Sequence, residues 1–146
     1  MSILITFFTA PDDTSAAAVL PTGPGRAFES VSFGGFDPEE AAVEWEHLLT
    51  GADPDDLLDA DEPRTVTDHG DDDSGCLVFA LSPRLSTALA TAEPATLRSA
   101  ATAWTHLRAE DGEHIDADIA SAIMDDLAAL ATTAAGENHG VYCWVA

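Results

Sequence analysis

The chain has 146 residues, 46% of them hydrophobic, and sets 27 acidic side chains against five basic ones for a formal net charge of -22. The cations are all arginine (Arg26, Arg64, Arg84, Arg98 and Arg108), and lysine is absent. This balance excludes a basic nucleic-acid patch, which takes several clustered cations, and it excludes a P-loop, which needs a lysine; the apolar content excludes a disordered acidic tail.

The opening run Ile3 to Phe8 is apolar, β-branched and aromatic, the pattern of a buried strand. It is too short to span a bilayer and has no basic leader, so an intracellular, cytoplasmic protein is expected. Pro11 to Thr14 end the strand, and Asp13 or Thr14 is expected to cap a short helix through Leu20. The segment 21–25, PTGPG, reads as a turn, and Phe28 to Phe33 as a second strand closed by Gly34 and Gly35.

Asp37-Pro38-Glu39-Glu40 is a helix start. Asp37 is placed to accept backbone amides, Pro38 suits the first helical position, and Glu40 completes a capping box. Ala41, Trp45, Leu48 and Leu49 recur at helical spacing, and Gly51 stops the helix. Asp53-Pro54 repeats the signal for a short helix carrying Leu57 and Leu58.

Arg64 to Thr67 reads as a strand, Asp68 to Gly75 as a polar turn, and Cys76 to Leu81 as another strand. Ser82-Pro83 opens a helix with Leu85 and Leu89 inward, and Glu93-Pro94 opens one with Leu97, Ala101, Trp104 and Leu107 on one side. The last helix is expected from about Asp116 to Ala135, with Ile119, Ile123, Leu127 and Leu130 on one face. Val141 to Val145 is the closing strand. Strands and helices intersperse without regular alternation, so the expectation is a single α+β domain over residues 1–146. Its sheet, mixed or antiparallel, would have about four to five strands packed by about four to five helices, with both terminal strands in the buried middle.

The candidate chemistry starts with the acidic segment at about 53–75, where Asp53, Asp55, Asp56, Asp59, Asp61, Glu62, Asp71, Asp72 and Asp73 face one cation, Arg64. Three readings stand: a surface for a basic partner or a phosphate mimic, a solvated loop, or an adaptation to salt or codon bias. Calcium is not indicated. Counted from Asp53, an EF-hand would need glycine where Leu58 stands and glutamate where Arg64 stands.

The histidines match no zinc spacing, and no metal or cofactor is called for. Cys76 and Cys143 sit in apolar runs, the setting of buried thiols rather than reactive thiolates. There is no G-x-S-x-G elbow. Trp104 beside His106 is a candidate pocket.

The segment Glu46 to Gly51, the Trp104 helix, the alanine-rich last helix and the closing Val141-Tyr142-Cys143-Trp144-Val145 together resemble a small bacterial family common in actinomycetes. Its members carry an LLTG segment and end in a Y-C-W strand. The resemblance runs from about Phe36 onward and implies a single intracellular domain. It carries over no catalytic or binding residue, and it does not extend to the stretch from Asp53 to Asp73.

The functional expectation is a non-enzymatic interaction protein, of inhibitor or immunity type, whose acidic stretch and Asp37 helix meet a basic protein. Complementary charge would speed that association and turn away anions. The alternatives are a small-molecule-binding protein or enzyme with its pocket near Trp104, and a DNA mimic. An exposed edge strand would support a homodimer.

Overall fold

The computed structural model describes residues 4–20, 23–25, 28–68 and 77–146. Asp71, Asp72, Asp73 and Cys76 lie outside these residues, as does most of the expected Asp68–Gly75 turn.

Five strands form one antiparallel sheet: β1 (Ile5–Ala10), β2 (Ser30–Phe33), β3 (Arg64–Asp68), β4 (Leu77–Ala80) and β5 (Gly140–Val145), in the order β2-β1-β5-β4-β3. The two terminal strands pair with each other in the interior of the sheet, Ile5 opposite Val145 and Phe7 opposite Cys143. Alternation then sorts their side chains, since successive residues of a strand point to opposite faces. Ile5, Phe7, Phe79, Val141 and Cys143 join one core, whereas Phe8, Val78, Ala80 and Tyr142 join another.

The larger core lies under four helices: α2 (Pro38–Thr50), α4 (Pro83–Thr91), α5 (Pro94–Glu110) and α6 (Ala117–Glu137). Its centre is aromatic. Trp45 and Trp104 meet edge-on at 5.2 Å, and Phe36 packs against Trp104 at 5.3 Å. The smaller core is covered by α1 (Asp13–Ala17) and the segment through Leu20. The remaining helix, α3 (Pro54–Asp59), lies beside α2 and is anchored by the buried Leu57. Six helices are described, and the five-residue α1 is the shortest of them.

Most element starts follow the capping chemistry. Asp37 accepts the amides of Glu39 and Glu40 at 3.0 and 3.3 Å, and Ser82 accepts that of Leu85 at 3.0 Å. Five details differ from expectation. The first strand is displaced two residues, to Ile5–Ala10, and Asp12 rather than Asp13 caps α1 because Asp13 is drawn to Arg64. Glu40 does not close a capping box; its carboxylate turns to Arg108 at 3.0 Å.

The last helix runs past Gly136 to Glu137, and Asn138 takes the left-handed cap at φ 59°. Asparagine tolerates that conformation better than most residues. Ile119 is 58% exposed, because the buried face of α6 is Ala120, Ile123, Met124 and Leu127. At about 100° per residue, Ile119 is turned roughly 80° away from Leu127. No helix among the described residues is long and apolar enough to cross a membrane.

Candidate functional site

Once Asp37 and Pro38 start α2, Glu40, Glu44 and His47 follow at spacings of four and three, which puts them on one face. Ala41, Ala42 and Trp45 turn into the core. Gly51 stops the helix at φ 77°, and His47 Nδ1 donates to the Ala52 carbonyl at 2.8 Å, pinning the turn. Asp53 restarts the chain as α3 by accepting the Asp55 amide at 2.8 Å. With Leu57 buried as anchor, the adjacent Leu58 is left 60% exposed. Asp61 then bends the chain at φ 58° toward Glu62, Pro63 and β3.

These segments and Leu107 of α5 enclose a groove of about 880 Å³. Its lining combines Val43, Leu58, Pro63 and Leu107 with the carboxylates of Glu39, Glu40, Glu44, Asp61 and Glu62. Among the described residues Arg64 is the one guanidinium on the lining, and Asp13 holds it through two hydrogen bonds of 2.8 and 3.1 Å. Behind the groove, Arg108 is 4% exposed, and its Nη2 lies 3.0 Å from Glu40, 2.6 Å from Glu44 and 2.7 Å from Asp111. Burial disfavours that cation, yet the bond to Glu44 and the charges of Glu44, Glu40 and Glu113 outweigh it and raise its pKa. Partial burial holds three lining carboxyls above their ordinary range: Glu39, helped by Asp37; Glu44, against the pull of Arg108; and Glu62, helped by Glu46. A cation entering the groove relieves that penalty.

The sequence candidates separate. Asp61 and Glu62 reach the groove, whereas Asp53, Asp55, Asp56 and Asp59 lie exposed along α3 next to it. Trp104 and His106 are not brought together. Trp104 is 0% exposed, wedged against Trp45 and Phe36, with its indole N–H donating to Glu44 at 3.1 Å, so it has no surface left for a ligand. His106 is exposed on the far side of α5, in a shallow depression with Arg98 and Thr102.

Residue-level reading missed Glu39, Glu40 and Glu44. The four-residue spacing of Glu40 and Glu44 beside the Asp53 segment was the available signal.

Two further cavities adjoin the groove. One of about 310 Å³, between α4 and the end of α6, is lined by Ser82, Ser86, Thr87, His139 and Tyr142 together with Glu62. A second, of about 10 Å³, is lined by Val43, Glu46, Leu57, Glu62, Pro63 and Ser82. Ser82 donates its hydroxyl proton to Glu46 Oε1 while accepting the Leu85 amide, which makes it a helix cap rather than a nucleophile. Cys143 is buried, and burial pushes its thiol well above the ordinary value, away from thiolate chemistry. Among the described residues, no three His, Cys, Asp or Glu side chains are grouped to hold a metal ion.

No protein-family model, curated protein or solved structure matches this chain.

Proposed function

We propose that this protein is a non-enzymatic binder of a basic protein, of inhibitor or immunity type, and that the groove between α2, α3 and the start of β3 is its contact surface. One observation carries the reading: apolar side chains and five carboxylates line the same groove, while Arg64, its only lining guanidinium among the described residues, is engaged by Asp13. The apolar part supplies burial that favours association, and the carboxylates supply steering and selection against anions. The exposed acids of α3 extend the negative surface beside the entrance, where they add to the long-range field.

The test uses a short amphipathic peptide of alternating leucine and basic residues, followed by stopped-flow fluorescence. Association should slow steeply as salt rises from about 0.1 M to about 1 M, over which the screening length falls from about 10 Å to about 3 Å. Leu58→Asp, at an exposed position, should weaken the complex without unfolding the protein. Salt-independent association, or a Leu58→Asp variant that binds as well as the parent, would sink the reading.

A small-molecule site is the second reading, supported by the cavity at Ser82, Ser86, Thr87 and His139. Its volume of about 310 Å³ lies at the lower end for ligand pockets, roughly 300–1,000 Å³. A thermal-shift screen of metabolites tests it, and stabilisation abolished by Thr87→Trp would favour it over the groove.

A further inference from the structure

Glu46 is 2% exposed, and only half of its carboxylate is satisfied. Oε1 receives the Ser82 hydroxyl, but no described residue donates a hydrogen bond to Oε2. The nearest cation, Arg84, keeps its Nε 3.9 Å away on a side chain that is 71% exposed, so it does not satisfy that oxygen. A buried carboxylate oxygen without a donor carries a desolvation penalty that a matching cation would remove.

Size and surroundings narrow the identity of that cation. The cavity that Glu46 lines has a volume of about 10 Å³, close to the roughly 10–15 Å³ that a single water-sized group occupies. A compact ammonium head suits so small a space better than a broad planar guanidinium. Glu62 lines the same cavity and offers a second carboxylate. Val43, Glu62 and Pro63 line both this cavity and the large groove, so the two spaces are neighbours across these three side chains.

Resting on the groove as the partner-binding surface, we infer that Glu46 and Glu62 form a primary-ammonium site that receives one lysine side chain of the basic partner. The aliphatic stem lies along Val43 and Pro63, and the ammonium donates to Glu46 Oε2 and the Glu62 carboxylate. Lysine suits the task because its three donors sit on a compact head at the end of a flexible apolar stem. This chain contains no lysine, so no ammonium side chain of its own competes for the site. The surface then distinguishes between two kinds of basic partner and does more than attract positive charge.

The probes are two capped peptides, Ala-Leu-Lys-Leu-Ala and its arginine counterpart, titrated at low salt into the isotopically labelled protein and followed by NMR. The lysine peptide should shift the amides of Val43, Glu62 and Ser82 and bind about tenfold more tightly than the arginine peptide, the margin of one charge-assisted hydrogen bond. Glu46→Gln should abolish that preference while leaving the arginine peptide's affinity unchanged. Glu62→Gln, at the half-exposed side of the site, is the second variant should Glu46→Gln fold poorly, and it should also reduce the preference. Equal binding of the two peptides by the parent protein overturns the inference and leaves the groove reading standing. A lysine preference that survives both substitutions overturns it as well. If neither peptide binds, the groove reading fails along with it.

Discussion

Nη2 of Arg108 lies 2.6 Å from Oε2 of Glu44, and the other oxygen of that carboxylate accepts the Trp104 indole N–H at 3.1 Å. One side chain of α2 thereby accepts hydrogen bonds from a buried cation and a buried indole of α5, tying the wall of the groove to the aromatic core. Arg108→Met should cost about 2–3 kcal/mol in urea denaturation. That is below the 3–5 kcal/mol typical of breaking a buried pair, because Glu40, Asp111 and Glu113 remain roughly half exposed and screened. Acidification should return part of the loss, since burial already holds the Glu44 carboxyl above its ordinary range and its protonation removes repulsion that the cation had offset. A variant as stable as the parent at neutral pH would refute this account of the wall.

Tyr142 is the only tyrosine in the chain, so its titration is read directly from tyrosinate absorbance. Burial, followed by the bond of 2.9 Å that its hydroxyl donates to Asp13, pushes its pKa up from 10.0 to about 12, with Arg64 pulling the other way. Between those two values the unfolded chain ionises first. Stability from this contact is therefore intact below pH 10 and falls as pH rises toward 12. Asp13→Asn should bring the tyrosine back toward its ordinary value; a parent protein already titrating near 10 would contradict the burial.

Asp13 should respond at the acid end. Hydrogen bonds from Arg64 and Tyr142 hold its carboxyl below the ordinary 3.8. The contribution is present above 3.8 and lost as pH falls through the lower folded value. Chemical shifts of the Asp13 carboxyl carbon should show the depressed value in the parent and a return toward 3.8 in Arg64→Ala.

Local chemistry made much of the fold legible. Asp37-Pro38 and Ser82-Pro83 mark helix starts because the capping bonds span only two or three residues. The apolar β1 and β5 runs are continuous because each strand lies between two others and is covered on both faces, by one core on each side. The groove was less legible, because its parts meet only after folding. Arg108 lies 68 residues from Glu40, and Glu40 looks like a capping-box residue until that arginine arrives. Trp104 beside His106 suggested a pocket, but adjacent positions two apart on a helix point in different directions, one inward and one to solvent. The dense run of acids drew attention to α3, while the more buried acids that line the groove were spread thinly along α2.

Ser82 serves two partners with one hydroxyl, so its removal should cost more than a cap. Loss of the bond from the Leu85 amide costs about 1 kcal/mol, and stranding Glu46 Oε1 adds roughly 1–3 kcal/mol. In a Glu46→Gln background, Ser82→Ala should cost little more than the cap, because a neutral amide is cheaper to leave without its donor. Equal costs in both backgrounds, measured by denaturant midpoints, would show that Ser82 and Glu46 are not coupled.

Gly23 and Gly25 both adopt positive φ, at 83° and 56°, but only Gly23 lies against a ring. A Cβ at Gly23 would meet Trp144 Cζ3 at 3.0 Å, whereas one at Gly25 meets nothing within 4 Å. The ring cannot easily retreat, since Trp144 Nε1 donates to the Leu20 carbonyl at 2.9 Å and holds the indole over the smaller core. Gly25→Ala should therefore cost only the backbone term of about 1–2 kcal/mol. Gly23→Ala should cost that plus roughly 1–3 kcal/mol of overpacking. Trp144→Phe, which shortens the ring and frees it from Leu20, should shrink the difference between the two alanine variants. Two variants of equal stability in the parent background would mean that the contact with the indole, rather than the backbone, has been misassigned.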